Sequence, residues 1–541
     1  MTFIAATDQI GGSVFLSAMT GLFPLLVFFV LLGVFKVKTH WCAIISLAVA
    51  LVVAVVGFKM PTTLALLSAS QGFAFGFMPI LYIIIAAVWL YNLTEKSGRS
   101  ADVRAAFNVV GRGDQRVQAL LIAFSFCGLL EGLAGFGAPV AIVAAMLVTI
   151  GVSPIRAALA TIVGNAINVG FGAMAIPVTT AGRLGGQEPT AVATAMSHIT
   201  PFIAAFVPLV LLGILDGKRG IKHLWPAALL SGLVTAFGHF WAAGFFSYEL
   251  TAVIASLLGF AAVTLLLQVW RPPTPDDVRS EASEGLSASR ATLALMPYWL
   301  VVIVFGVSKL WTIGINVPQL LASTDIKFGW PGLHGHLLEA SGQVNNSTIF
   351  TVQWLSSPGT LLALTALIVA AVYGSTSSDG KFPFTFGRGI ATLGFTIVSL
   401  RIAILTISVV MALAYVMNFS GQTASIGAWM AGAGMGFVFI SPVLGWIGTA
   451  VTGSATSANA LFADLQATAA AKVGADPTIL LGANTVGGGL GKIISPQNLA
   501  IASGAVGEDN AEPIILRKAL PYSLGLLVVL SIIVGTLSFI A

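Results

Sequence analysis

Four ionisable side chains stand inside long apolar stretches of the sequence, where a charge is costly unless it is used. Arg401 and Lys492 could bind an anion, and the carboxyls of Glu131 and Asp464 could pair with them or carry a proton. The guanidinium of Arg401 suits a carboxylate. The alternatives are structural ion pairs of Arg401 with either acid, or of Lys492 with an acid, and a solvated outer position for Asp464. Glu131 is the better candidate for a proton carrier, because burial favours the protonated form of a carboxyl.

Two glycine-rich segments carry uncharged hydrogen-bonding groups near these residues, at 135–139 (GFGAP) and at 453–457 (GSATS). Glycine lets a backbone approach a ligand closely, and hydroxyls and amides bind without charge. Together they could hold the carboxylate and hydroxyl of a small organic anion, although hydroxyls also join helices. The predicted substrate-binding residues are Gly135, Gly137, Asn165, Gly172, Arg401, Ser454, Thr456, Ser457, Asn459, Asn484 and Lys492.

The composition indicates that lipid is the solvent of this chain. Charged residues make up 8% of the 541 positions, hydrophobic residues make up 57%, and the mean hydropathy is +0.97. An ordinary soluble domain has roughly 25% charged residues. The sequence therefore predicts an all-α polytopic membrane protein, and its dispersed basic residues argue against nucleic acid as a partner.

Apolar stretches of about 20 residues can cross a bilayer as helices. About 12 such spans are predicted, at 13–35, 41–58, 77–93, 156–181, 199–216, 223–243, 248–270, 292–312, 358–373, 390–416, 478–502 and 519–540. Two further apolar stretches, 117–150 and 441–472, each have about enough length for two half-depth helices around a glycine-rich tip. We predict both as re-entrant hairpins, which are stable where protein or a water-filled cavity covers their backbone.

Glycine and proline interrupt two of the predicted spans, 156–181 and 478–502. The predicted breaks, at 170–177 and 487–496, free backbone groups that lipid cannot hydrogen-bond. Broken helices in transporters aim positive helix N-termini at an anionic ligand near the midplane. A packing kink is the alternative for one break, whereas two breaks beside two hairpins favour a binding site.

Basic residues predict the orientation, because cytoplasmic loops are enriched in lysine and arginine. With both termini outside, only four basic residues fall outside, namely Lys59, Arg183, Lys327 and Lys472. Lys309, Arg401 and Lys492 lie within spans or at their outer ends, and the other 18 of the 25 fall on the cytoplasmic side.

Matched residues relate the two halves of the chain. Four of them recur at a constant offset of 319, with Asn165, Gly170, Gly172 and Pro177 returning as Asn484, Gly489, Gly491 and Pro496. In the predicted topology the first hairpin enters from the cytoplasm and the second from outside. We therefore predict two inverted repeats, 1–270 and 292–541, joined by a flexible cytoplasmic linker at 271–291.

No cofactor or metal site is predicted. Cys42 and Cys127 stand in apolar stretches as core residues. His334 and His336, with Glu339 nearby, fit a solvated outer loop at 313–357 better than a metal site. The sequence has no phosphate-binding loop of the Gly-x-x-x-x-Gly-Lys-Ser/Thr kind, which argues against a pump driven by nucleotide hydrolysis.

Four longer segments carry a family resemblance, namely 131–141 (EGLAGFGAPVA), 171–177 (FGAMAIP), 453–462 (GSATSANALF) and 491–497 (GKIISPQ). Through them the chain resembles the L-lactate permease family of secondary carriers over nearly its whole length. The resemblance implies uptake of lactate and of related 2-hydroxy acids such as glycolate, coupled to protons, across the cell membrane. The family pattern often has aspartate where this chain has Ala455, and if that aspartate serves proton coupling in the family, this chain lacks the group at that position.

The sequence thus predicts a proton symporter for lactate-like 2-hydroxy monocarboxylates. Its expected partners are that substrate, protons and the lipid bilayer, and a homo-oligomer is possible. The alternatives are a sodium-coupled or exchanging carrier of another small organic anion, and a channel. An enzyme is disfavoured, because no nucleophile, base and orienting group form a recognisable motif.

Overall fold

The computed structural model describes residues 2–35, 37–110, 113–133, 135, 137–279, 286–308, 316–338, 343–378, 380–508 and 511–540. Its N-terminal half is built from helices, several of which are joined by short π-helical or 3₁₀ turns. These helices are α1 (Val14–Gly33), α2 (Thr39–Val52), α3 (Thr62–Phe75), α4 (Tyr82–Lys96), α5 (Ser100–Val110), α6 (Gln115–Leu120), α7 (Cys127–Leu133), α8 (Ala138–Thr149), α9 (Pro154–Asn165), α10 (Gly172–Leu184), α11 (Pro189–Ser197), α12 (Thr200–Ala204), α13 (Val207–Trp241) and α14 (Thr251–Val269).

The C-terminal half continues the helical bundle and adds short strands in the loop before α18. Its helices are α15 (Ala288–Ala294), α16 (Met296–Ser308), α17 (Val317–Leu321), α18 (Pro358–Ser375), α19 (Phe386–Ser399), α20 (Arg401–Phe419), α21 (Gln422–Met430), α22 (Phe437–Thr452), α23 (Ala455–Val473), α24 (Pro477–Lys492), α25 (Pro496–Ala505) and α26 (Glu512–Ile540). Strand β1 (Phe3–Ile4) pairs in parallel with β3 (Leu337–Leu338), and β2 (Ile326–Gly329) pairs antiparallel with β4 (Ile349–Val352). The terminal strand thereby ties the start of the chain to this loop.

Within the described residues, 11 helical segments are long and apolar enough to cross a membrane, or 12 when α15 and α16 count as one bent span. This confirms the predicted polytopic all-α fold. The span predicted at 77–93 covers only part of the helical segment that the structure shows there. The helices α3 and α4 form one segment over Thr62–Lys96, with a non-helical residue at Met78. The first half of that segment includes the buried polar residues Ser68 and Gln71, which lowered its apolar signal in the sequence.

Three other predicted spans differ from the structure at bends. The spans at 199–216 and 223–243 are joined through α13, which bends at Gly217 where φ is 63°. The predicted span at 390–416 starts earlier, in α19, and is interrupted at Leu400 before α20 begins. Arg401 is therefore the first residue of a helix rather than the middle of one.

Both stretches predicted as hairpins consist of two helical legs that meet at a glycine tip. The first runs through α6 and α7 to the tip and leaves along α8, and the second uses α22 and α23. Gly137 and Gly453 occupy left-handed conformations at the two tips, with φ of 87° and 74°, which glycine adopts without strain. The next helix then starts at a proline in each half, Pro154 or Pro477. Their re-entrant course in the bilayer stays a prediction.

The first broken helix bends where the sequence predicts it. After α9 the chain forms a 3₁₀ segment over Ala166–Phe171. Ala173, Met174 and Ala175 then adopt left-handed φ values of 43°, 59° and 57° before α10 continues. Such values are costly for residues with a Cβ, so tight surrounding packing must hold this turn.

The second break is shorter than predicted. The helix α24 continues through the glycines at 487–491, and only Ile493–Ser495 interrupt the path before α25. These glycines serve packing, because a Cβ on Gly487 would lie 2.2 Å from the Pro442 carbonyl oxygen of α22. The break itself follows from Pro496, which forces Ser495 into an extended conformation.

This packing gives a stability prediction. We expect Gly487→Ala to destabilise the protein by about 1–3 kcal/mol, because the added methyl group must push α22 away from α24. The matched control is Gly525→Ala in α26, where nothing lies within 4 Å of the position that a Cβ would take. Thermal unfolding of both purified variants measures the difference, and equal midpoints would contradict the packing role of Gly487.

Of the predicted linker at 271–291, the described beginning is anchored rather than free. The Arg116 guanidinium at the base of the first hairpin donates to the Pro273 carbonyl at 2.8 Å. Arg219 pairs with Asp277 at 2.9 Å, and this hydrogen bond holds the pKa of the Asp277 carboxyl below its usual range. The linker therefore begins bound to the N-terminal half.

Candidate functional site

A cavity of about 500 Å³ lies where the hairpin tips, the broken helices and α20 meet. Its polar lining comes from Lys38, Thr39, His40, Glu131, Thr406, Thr452, Ser454, Thr456, Ser457, Lys492 and Gln497. The cavity thus brings together six of the predicted substrate-binding residues, Gly135, Gly172, Ser454, Thr456, Ser457 and Lys492. Phe136 of the first tip lies outside the described residues.

A buried ion pair joins the two halves of the chain at this cavity. The Lys492 Nζ lies 3.0 Å from Glu131 Oε1, and the two side chains are only 7% and 3% exposed. Asn165 Nδ2 donates to the other oxygen of Glu131 at 2.9 Å, and Cys127 Sγ donates to Asn165 Oδ1 at 3.3 Å. The carboxylate is therefore held from two sides, by a cation from the second broken helix and an amide from the first.

Gly172 makes room for this carboxylate. A Cβ at Gly172 would lie 2.7 Å from Glu131 Oε1, so a larger residue would push the acid away from Lys492. The backbone of the first break can therefore line the cavity beside the ion pair. Gly172, which was predicted as a substrate-binding residue, contributes here by leaving space for the Glu131 carboxylate.

The second tip presents a helix N-terminus and hydroxyls to the cavity. Ser454 caps α23 by accepting a hydrogen bond from the Ser457 backbone N–H at 3.2 Å. Thr456 and Ser457, in the first turn of α23, also line the cavity. The positive end of the helix dipole and these hydroxyls give the site neutral donors for an anion.

The predicted asparagine ligands lie behind the cavity wall. Asn484 Nδ2 donates to Asn459 Oδ1 at 2.7 Å, and Asn459 Nδ2 donates to the Pro177 carbonyl at 3.1 Å. Asn165 holds Glu131, as described above. All three amides are buried and engaged with protein groups, so in this conformation they position the wall residues Pro177 and Glu131.

The remaining predicted residues stand apart from the cavity lining. Gly137 packs on α25, where its Cβ would lie 2.5 Å from Ile501. Asp464 is half-buried and accepts a hydrogen bond from Thr423. Arg401 is exposed at the start of α20, next to the lining residue Ile402. Among the described residues Glu131 pairs with Lys492, and Arg401 forms no ion pair with Glu131 or with Asp464.

Sequence reasoning missed one part of the lining, at the start of α2. Lys38, Thr39 and His40 contribute there, and Gln497 follows the second break. Lys38 stands in a predicted cytoplasmic loop, and nothing in its spacing from Glu131 or Lys492 indicates a shared cavity. Gln497 could have been predicted as a site residue, because it belongs to the segment GKIISPQ that carries the family resemblance.

In the loop before α18, the described side chain of His334 has a protein partner. His334 Nδ1 lies 2.7 Å from Thr348 Oγ1, and across the described residues no three histidine, cysteine, aspartate or glutamate side chains form a group that could hold a metal ion. Glu339 lies outside the described residues. Cys42 and Cys127 are free and buried.

A multi-spanning helical bundle that encloses a charged cavity between paired hairpins and broken helices defines a membrane transporter. The chain belongs to the L-lactate permease family, whose family model matches residues 17–541.

Curated relatives cover almost the whole chain. It is 36% identical to the glycolate permease GlcA of Escherichia coli K12, over 95% of this chain and 94% of the relative. It is 35% identical to the L-lactate permease of Bacillus subtilis 168, over 98% of both chains.

Among solved structures, the Neisseria gonorrhoeae MtrF matches 96% of this chain and 98% of its own, with a TM-score of 0.49 and 14% identity.

Proposed function

We propose that this chain imports L-lactate and related 2-hydroxy monocarboxylates such as glycolate by proton symport. The single observation that carries this proposal is the buried Lys492–Glu131 pair in the wall of the cavity. A cation that can release its carboxylate partner is a binding site for a substrate carboxylate. The permeases to which the chain is similar support the choice of lactate and glycolate.

Charge balance supports coupling to a proton. In the empty site, Lys492 and Glu131 neutralise each other at 3.0 Å. When a substrate carboxylate takes the place of Glu131 on Lys492, an ionised Glu131 would be left as an unpaired buried charge, which costs several kcal/mol. Protonation of Glu131 removes that cost. The loaded and empty sites are then both neutral, which allows either one to cross the low-dielectric interior.

Other groups complete the proposed site. The substrate hydroxyl would meet Ser454 or Thr456 at the second tip, while Asn165 keeps Glu131 in place in both protonation states. Arg401 stays a proposed carboxylate contact, because it adjoins Ile402 of the cavity wall. Asp464 stays the proposed second proton-coupling residue.

The two halves are proposed to be inverted repeats. In support, the same order of elements occurs in each: a bent helix pair, a short helix, a hairpin and a broken helix. The pairs α3–α4 and α19–α20 correspond in this order, as do α5 and α21. The distribution of basic residues favours both termini outside, and in that orientation the cavity, lined by Lys38 at the start of α2, would face the cytoplasm.

Uptake of labelled L-lactate by the purified protein in liposomes tests the proposal. With an inward proton gradient, we expect lactate to accumulate above its outside concentration and glycolate to compete with it. Collapse of the gradient should reduce uptake to equilibration. Uptake that follows a sodium gradient and ignores the proton gradient would contradict the symport.

One observation favours a second candidate, an exchanger. Ala455 lines the cavity at the position where the family pattern often has aspartate, so the second tip contributes no carboxylate there. Saturable lactate–lactate exchange that ignores the pH gradient would support this alternative. Ala455→Asp should then confer pH dependence on the exchanger, whereas the proton symporter would already have it.

A further inference from the structure

A layer of aromatic and polar side chains lies around Arg183, beyond the end of the cavity that is away from Lys38. This Arg183 layer consists of Arg183 in α10, Phe75 in α3, Tyr415 in α20 and Gln353 in the loop after β4. The Arg183 guanidinium lies 5.8 Å from the centre of the Phe75 ring and donates a hydrogen bond to Gln353 Oε1. Phe75 and Tyr415 are in ring contact at 5.5 Å.

The position of this layer follows from the helices that carry it. Pro177 lines the cavity, and Arg183 follows six residues later in α10, roughly 9 Å further along the helix. Ile407 also lines the cavity, and Tyr415 follows eight residues later in α20, roughly 12 Å further on. The layer therefore lies beyond one end of the cavity.

Contacts of α20 show that this end is the one away from Lys38. Just beyond α20, Gln422 Nε2 donates to the Ala50 carbonyl at 3.1 Å, so the C-terminal end of α20 lies near the far end of α2. Lys38 lies at the near end of α2. The α3–α20 contact is also tight here, because a Cβ on Gly72 would lie 2.8 Å from Tyr415 Cβ.

Arg183 is a half-buried cation whose hydrogen bond and ring contact are with neutral groups, as are those of the buried Arg99. Lys492 and Arg116 each have a carboxylate partner. By contrast, no carboxylate among the described residues forms an ion pair with Arg183. A carboxylate can accept two parallel N–H bonds from a guanidinium and carries the opposite charge, neither of which is true of the Gln353 amide. A carboxylate that reaches Arg183 can therefore displace the Gln353 amide.

We propose that Arg183 is the outer gate residue of this transporter. Its contacts with Gln353 and Phe75 close the cavity on the Gln353 side, and a substrate carboxylate arriving from that side replaces Gln353 on the guanidinium and opens the layer. The inference rests on the proposed transport function, since a carrier must close one side of its site while the other is open. It adds a carboxylate contact about 9 Å beyond Pro177 of the cavity wall.

Cysteine accessibility tests the gate. Ala403→Cys places a small reporter on the cavity wall, and the parent protein, with its two buried native cysteines, gives the background. A membrane-impermeant maleimide is applied to intact cells, which exposes the proposed outer side, and separately to inverted vesicles. We expect Arg183→Ala and Gln353→Ala to raise reporter labelling from the Gln353 side about tenfold, which corresponds to loss of about 1.4 kcal/mol.

The matched control is Lys327→Ala, which removes an exposed cation from β2 of the same loop without touching the layer. It should leave labelling unchanged. External L-lactate should raise labelling in the unaltered gate and have no such effect in Arg183→Ala. Unchanged labelling in Arg183→Ala, or an equal rise from both sides, would overturn the gate. Failure of the parent protein to transport lactate, with an intact Arg183 effect on reporter labelling, would instead overturn the proposed function.

Discussion

Replacement of Glu131 by glutamine should abolish proton-driven accumulation of lactate while preserving exchange of lactate across the membrane. Glutamine keeps the size of the side chain, and its single carbonyl oxygen can accept from either Asn165 or Lys492, which lie 2.9 and 3.0 Å from the carboxylate oxygens. It mimics the protonated acid and cannot release a proton. A gradient of one pH unit can drive roughly tenfold accumulation, and this factor should fall to about one.

The measurement is labelled lactate in proteoliposomes, with net uptake and counterflow compared in the same preparation. Glu188→Gln is the matched control, because Glu188 is an exposed glutamate before α11, away from the cavity. It should behave as the unaltered protein. Glu131→Gln that still accumulates lactate down a proton gradient would move the proton carrier to another group, and Asp464 would be examined next.

The sequence predicts which residues of the cavity are chemically important better than it predicts which of them lie in contact. Glu131, Lys492 and the hydroxyls of the second tip stand out, because a charge or a hydroxyl beside glycine in an apolar segment needs a physical reason. Their association across the two halves depends on tertiary packing. No local spacing places Lys492, 361 positions from Glu131, at its carboxylate.

The roles of the buried asparagines could not be predicted from the sequence. An amide in an apolar segment is equally expected to bind a ligand or to satisfy a neighbouring buried group, since both relieve the same desolvation cost. Asn484 satisfies Asn459, and Asn459 satisfies the Pro177 carbonyl. The glycines at 487–491 present the same ambiguity between a break and close helix packing, and the structure resolves it in favour of packing.

The helices that lipid covers were predictable from their long apolar stretches. The helices that other parts of the protein cover were harder to predict. The segment at Thr62–Lys96 illustrates the difference. It is more buried in the protein than α1 or α2, so its first half tolerates Ser68 and Gln71 and gave a weaker apolar signal. The bend before Arg401 escaped prediction as well, because no glycine or proline marks Leu400.

Replacement of Lys492 by methionine should remove lactate uptake more completely than any other single change at the tips. The substrate carboxylate loses its buried cation, a contact whose removal typically costs about 2 kcal/mol or more, so uptake at low lactate concentration should fall roughly 30-fold or further. Lys472→Met, at an exposed position near the end of α23, is the matched control and should retain full uptake. Uptake by Lys492→Met with unchanged affinity would remove Lys492 from the binding site.

A double variant separates binding from structural support. Lys492→Met alone leaves Glu131 as an unpaired buried carboxylate, which should lower stability by about 3–5 kcal/mol unless the acid takes up a proton. Its thermal midpoint should therefore rise as the pH is lowered. Adding Glu131→Gln removes the buried charge and should restore stability at neutral pH without restoring uptake. If the double variant recovered transport together with stability, Lys492 would be a structural partner of Glu131, and the substrate carboxylate would have to bind elsewhere, with Arg401 beside Ile402 the nearest proposed cation.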